Sequence, residues 1–175
     1  ENVLVSQGTS LLTFLALLTL LEPGDEVLLP DPTYACYGSF VRLAHGVPVS
    51  VPLFESDGFQ LDPAAVKARI TPRTRALMVC SPANPTGVVM QPSLMRELAE
   101  LGLPIVSDEI YHGLSYGPEE STMLAHSEQA FVLNGFSKYF AMTGWRMGYL
   151  IFPAPLRTLV MKLHQNVMIS AAEFT

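Results

Sequence analysis

From end to end, short apolar runs alternate with longer stretches of helical periodicity. The runs Asn2–Ser6, Glu26–Pro30, Val47–Leu53, Ala76–Cys80, Pro104–Asp108, Phe131–Gly135 and Gly148–Phe152 read as strands. Between and after them, Ser10–Leu21, Tyr34–Ala44, Pro63–Arg69, Ser93–Leu101 and Pro153–Ile169 read as helices. Strands that are apolar on both faces must be covered on both faces, so the alternation implies an α/β fold with a mostly parallel sheet between two helical layers. Turn signals fall between elements, at Glu22-Pro-Gly-Asp25, Ser56-Asp-Gly58 and Gly117-Pro118. No repeat, low-complexity tract or linker divides the chain, so residues 1–175 read as one domain.

Composition removes several classes of function. Net charge is −6 with no basic cluster, which argues against a nucleic-acid footprint. A hydrophobic content of 49% with only 15% charged residues excludes disorder. The mean hydropathy of +0.32 raises the question of a membrane span. The longest apolar stretch, Leu11 to Leu21, is interrupted by Thr13 and Thr19 and is too short to cross a bilayer, so it is expected to be a buried helix. The apolar excess is expected to cover a further segment or a partner subunit. Because the chain opens at Glu1 on a strand pattern and closes at Thr175 just after a helical one, it is expected to be an internal piece of a longer protein. Cys36 and Cys80 have no metal or redox spacing and are expected to be buried small apolar residues. No leader or lipidation motif is visible, and cytoplasm is the default expectation.

In an open α/β sheet, ligands bind beyond the carboxyl ends of the strands. After the first strand comes Gln7-Gly8-Thr9-Ser10, and after the second Asp31-Pro-Thr-Tyr34. The fourth is followed by Ser81-Pro-Ala-Asn84-Pro-Thr-Gly87, the fifth ends in Asp108-Glu-Ile-Tyr111, and the sixth runs into Phe136-Ser-Lys138. Five strand ends thus deliver polar or aromatic groups to one edge.

Gly8-Thr9-Ser10 opens a helix, where free N–H groups and the helix dipole favour an anion; an ordinary cap by Thr9 or Ser10 is the plainer alternative. Asp108 closes an apolar strand and could hold a cationic ring nitrogen or cap a helix. Of the three lysines, Lys67 and Lys162 read as solvated, whereas Lys138 falls at a strand end among Phe136, Tyr139 and Phe140. That apolar setting is expected to desolvate it and favour Schiff-base chemistry. Arg146 could clamp a phosphate through its planar fork. A lysine, an aspartate, a phosphate cradle and an aromatic side chain together suggest pyridoxal 5′-phosphate. His45, His126 and His164 lack partners at metal spacing, and Glu109 with His112 lacks a third ligand, so no metal site is expected.

Ser81-Pro-Ala-Asn84-Pro-Thr-Gly87, Asp108-Glu-Ile-Tyr111 and Ser137-Lys138 with Thr143-Gly-Trp-Arg146-Met-Gly148 resemble the signatures of class I/II aminotransferases, fold-type I pyridoxal phosphate enzymes. The resemblance covers essentially the whole chain. It implies a three-layer αβα sandwich with a seven-stranded sheet whose last strand is antiparallel. The chain would be the cofactor-binding large domain, with an N-terminal segment and a small C-terminal domain lying outside it. It further implies that Lys138 forms the Schiff base and shuttles a proton, while Asp108 keeps the pyridine nitrogen protonated. Asn84 and Tyr111 would bond the phenolic oxygen, Tyr34 would stack on the ring, and Gly8, Thr9 and Arg146 would hold the phosphate. The implied reaction is ping-pong transfer of an amino group from an L-amino acid to a 2-oxo acid, in a homodimer.

One departure stands out. Many members carry Ser or Thr three residues before the lysine, where this chain has Gly135, and Ser137 is the candidate replacement. Two other readings share the same residues: a lyase or synthase on this fold, and an aminotransferase-like sensor domain of a transcription regulator. The arginine that binds the substrate carboxylate in this family is expected outside these residues.

Overall fold

The computed structural model describes residues 2–117 and 119–171; Pro118 of the expected Gly117-Pro118 turn lies outside them. In chain order the elements are β1 (Val3–Ser6), α1 (Thr9–Leu20), β2 (Glu26–Asp31), α2 (Cys36–Leu43), β3 (Val47–Pro52), α3 (Pro63–Lys67) and β4 (Thr74–Cys80). They continue with α4 (Pro92–Ala99), β5 (Ile105–Asp108), β6 (Ala130–Gly135), β7 (Gly148–Ile151) and α5 (Arg157–Val167). One sheet takes all seven strands in the order β1-β7-β6-β5-β4-β2-β3. Neighbours from β6 through β3 are parallel, whereas β7 is antiparallel to both β6 and β1. The expected architecture is therefore present, including the reversed last strand.

Alternation along each strand builds two cores. Val27, Leu29, Ala76, Met78, Val106 and Leu133 face α1, α2 and α5, while Leu28, Leu77, Val79, Ile105 and Val132 face α3 and α4. Helix α1 carries no charge and is apolar nearly all round, as a helix enclosed by neighbours must be. Its Leu12, Leu15 and Leu17 are fully buried, each contributing about 1.5–3 kcal/mol of transfer free energy. No helix among the described residues is long and apolar enough to cross a membrane.

Several boundaries differ from the sequence reading, the last helix most of all, which spans Arg157–Val167 where Pro153–Ile169 was expected. β4 begins at Thr74, because Thr74 and Glu26 are buried together at the start of the sheet, and Thr71 and Arg73 also donate to the Glu26 carboxylate. α2 begins at Cys36, which leaves Tyr34 on the preceding loop. Cys80 is buried, but Cys36 is only half-buried at the exposed start of α2.

Candidate active site

β1, β2, β4, β5 and β6 run the same way, so the loops leaving their carboxyl ends share one edge. β7 runs oppositely and enters the sheet at that same edge, Gly148 pairing with Ser6 on one side and Gly135 on the other. The residues just before β7 therefore arrive beside those just after β1 and β6. The loops enclose a cleft of about 260 Å³. Seven of the eight residues singled out from the sequence line it: Thr9, Tyr34, Asn84, Asp108, Tyr111, Lys138 and Arg146. Gly8, the eighth, lies beneath the Arg146 guanidinium.

Asp108, at the end of β5, is buried in the cleft. Its Oδ2 accepts a 2.8 Å hydrogen bond from the Tyr37 hydroxyl and its Oδ1 a 3.1 Å bond from the Ile110 N–H. Burial pushes the carboxyl up to about 6, against the pull of these two donors. Asn84 donates to the Tyr111 hydroxyl at 3.2 Å, tying the loop after β4 to the turn after β5. Burial raises the Tyr111 phenol, and the Asn84 hydrogen bond opposes that.

Lys138 stands just beyond β6, its Nζ 5.8 Å from the centroid of the Tyr111 ring. The expected desolvated setting is not found. Lys138 is exposed, because Tyr139 and Phe140 turn outward and are themselves 55% exposed. The Tyr139 ring rests against Gly113, packing the loop after β6 onto the loop after β5 and bringing Lys138 to Tyr111.

Gly8 caps α1 at φ 80° and no side chain caps the helix, so the alternative of a Thr9 or Ser10 cap is not realised. Arg146 lies over this helix start, its Nη2 only 2.8 Å from where a Cβ on Gly8 would sit. Positive φ and lack of space together require glycine there. The arginine is itself fixed by a 3.0 Å bond from Nη1 to the Thr143 carbonyl. A helix start without a side-chain cap, beneath a guanidinium fork, has the donors and charge to accept a phosphate-sized anion.

The sequence reading missed Tyr37. It follows Tyr34 by three residues, and the two rings meet edge to face with centroids 5.3 Å apart. That spacing, once the second helical pattern was recognised, was the available signal. Glu109 is buried and structural: it accepts from Ser107, Thr122 and the Met123 N–H, with His112 Nδ1 3.5 Å away. Among the described residues, no group of three or more His, Cys, Asp and Glu side chains is placed to hold a metal ion.

Several solved structures similar to this chain are named as aspartate aminotransferases. The aspartate aminotransferase of Thermus thermophilus with maleate superposes with a TM-score of 0.90 at 38% identity, over 95% of this chain and 45% of that one. The chain belongs to the aminotransferase class I and II family, whose model matches residues 1–173. The aspartate aminotransferase of Pyrococcus horikoshii is 36% identical over 180 residues, 99% of this chain and 46% of that protein. The bifunctional aspartate aminotransferase and glutamate/aspartate-prephenate aminotransferase of Petunia hybrida is 40% identical over 162 residues, 87% of this chain and 34% of that protein. The chain thus spans less than half the length of these relatives.

Proposed function

We propose that the chain is the cofactor-binding large domain of a pyridoxal 5′-phosphate-dependent aminotransferase, which moves an amino group from an L-amino acid to a 2-oxo acid by a ping-pong route. The observation that carries this reading is the meeting of Lys138, buried Asp108 and the arginine-covered start of α1 in one cleft. When bound, the cofactor supplies an electron sink conjugated to an aldehyde carbon. The chain's own groups match its parts. Arg146 and the first N–H groups of α1 bind the phosphate. Asp108 holds a proton at the ring nitrogen, and a cation there draws its carboxyl back down from about 6. Asn84 and Tyr111 bind the phenolic oxygen, and Tyr34 covers the ring. Lys138 Nζ would hold the aldehyde carbon and, once the substrate amine has displaced it, would be free to take the proton from the substrate Cα. Aspartate is the amino donor to test first, because the relatives above are named as aspartate aminotransferases.

The test is borohydride reduction of the full-length polypeptide with pyridoxal phosphate, followed by peptide mapping. The label is expected on Lys138 and is expected to vanish in Lys138→Ala. Folded protein with no label, or with label on another lysine, overturns the reading. Formation of the matching 2-oxo acid from aspartate then distinguishes amino transfer from elimination or cyclisation.

A further inference from the structure

We propose that His164, on α5 and outside the cleft, is a positioning residue for the phosphate cradle, holding through Ser6 the turn that leads into Gly8; this rests on the reading of the cleft as a pyridoxal phosphate site. Gly8 has a positive φ and no side chain, and no side chain caps the helix it opens. Nothing at the glycine itself therefore fixes the direction of the first N–H groups of α1. That direction is set from the residues before it. The Gly8 N–H donates to the Ser6 carbonyl at 2.8 Å, and Ser6 is fully buried, with its backbone paired to Gly148 of β7. The Ser6 hydroxyl donates to Met168 Sδ at 3.4 Å, so its 3.0 Å contact with His164 is a bond from Nε2–H to Ser6 Oγ. Burial pushes His164 below the ordinary histidine range, which keeps the ring neutral near pH 7. The same segment also holds Gln7, whose Nε2 donates to the Ser170 carbonyl at 3.1 Å. To reach it the chain turns at Ile169, at φ 64°, an outlier for a β-branched residue that persists only where neighbours hold it. The His164 carbonyl does so, accepting from the Met168 and Ile169 N–H groups at 2.8 and 3.2 Å. Residues 164–170 thus clasp both residues that precede the cradle glycine, and His164 is the buried member that joins the two ends.

Substitution in the full-length polypeptide separates this role from a general structural one. His164→Leu keeps bulk and deletes the donor, whereas His164→Gln returns an N–H near the place of Nε2. His164→Leu is expected to weaken pyridoxal phosphate binding roughly ten-fold, the consequence of losing one buried hydrogen bond, and to change the binding of pyridoxal, which lacks the phosphate, less than about two-fold. His164→Gln is expected to stay within about three-fold of the wild type for both. In a Ser6→Ala background the effect of His164→Leu is expected to shrink below about two-fold, because the bond it deletes is already gone. In cofactor-free protein the Leu12 amide, which donates to the Gly8 carbonyl at 3.4 Å, is expected to exchange with solvent about ten-fold faster in His164→Leu. Should the leucine variant not fold, His164→Asn takes its place, since its shorter amide leaves the Nε2 position empty. A folded variant that binds pyridoxal phosphate as the wild type does, or that loses pyridoxal phosphate and pyridoxal alike, overturns the proposal, and so does a glutamine variant as weak as the leucine one. The failures are distinguishable. Unchanged exchange and affinity with Lys138 labelled by borohydride refute the role of His164 alone. Faster exchange with no labelled lysine refutes the cofactor reading, and the role falls with it.

Discussion

Asp108 is ionisable, buried and without a cationic partner at hydrogen-bonding distance among the interactions described above, and the cofactor-free fold bears the cost. Its carboxyl is pushed from 3.8 up to about 6, so between those values the folded state binds more protons than the unfolded state. The sign follows from linkage: the stability contributed by this group falls as pH rises from about 4 to about 7, by up to about 3 kcal/mol. Asp108→Asn has no charge to bury. Denaturant melts of cofactor-free protein are therefore expected to show the variant gaining on the wild type by that amount across the same window; a constant difference would contradict it. At the cradle, Gly8→Ala would meet the Arg146 guanidinium at 2.8 Å as well as a positive φ. It is expected to weaken pyridoxal phosphate binding about ten-fold or more, measured by equilibrium titration, and equal affinity would show that Arg146 is not the phosphate clamp. Lys138, Asp108 and Arg146 were legible in the sequence because each stands where a strand ends or begins at the ligand edge. Tyr37 was hidden because its partner is 71 residues away and only the packing of α2 brings the two together.

Among the elements, β7 decides how the edge is built. Alternation of apolar residues reads the same in both directions, so periodicity could place Gly148–Phe152 as a strand but could not orient it; the resemblance supplied its direction. Reversal puts Arg146 at the same edge as Gly8, which a parallel seventh strand would not do. It also explains Gly135. A Cβ there would lie 2.9 Å from the Met147 carbonyl oxygen and 3.0 Å from Gly148 Cα, so the β6–β7 pairing has no room for the Ser or Thr that many family members carry. Gly135→Ser is accordingly expected to lower stability by about 1–3 kcal/mol without tightening cofactor binding. Thermal melts and a pyridoxal phosphate titration of one variant check both halves, and tighter binding would mean that the strand pair yields to admit the hydroxyl. The element boundaries were read less well than the elements themselves. Buried polar clusters such as Glu26 with Thr71, Arg73 and Thr74 carry no periodic signal, so the start of β4 was invisible.

For the whole molecule, the question is what covers the cleft. Lys138 is exposed, and Tyr139, Phe140 and Trp145 around it are each about half exposed. Proton transfer at a substrate Cα by an amine open to bulk water is poorly protected, and excluding water is part of what an active site supplies. Val3 and Val5 on the edge strand β1, and Ile169 after α5, add further exposed apolar surface. The chain also spans less than half of its relatives. We therefore expect cover to come from the rest of a longer polypeptide and from a second copy, giving a homodimer. Residues 1–175 alone are then expected to bind pyridoxal phosphate weakly and to yield no detectable 2-oxo acid from aspartate, while the full-length polypeptide sediments as a dimer and turns over. Comparable turnover by the isolated residues would show that the open cleft is already complete. A monomeric, active full-length protein would instead assign the whole cover to its own chain.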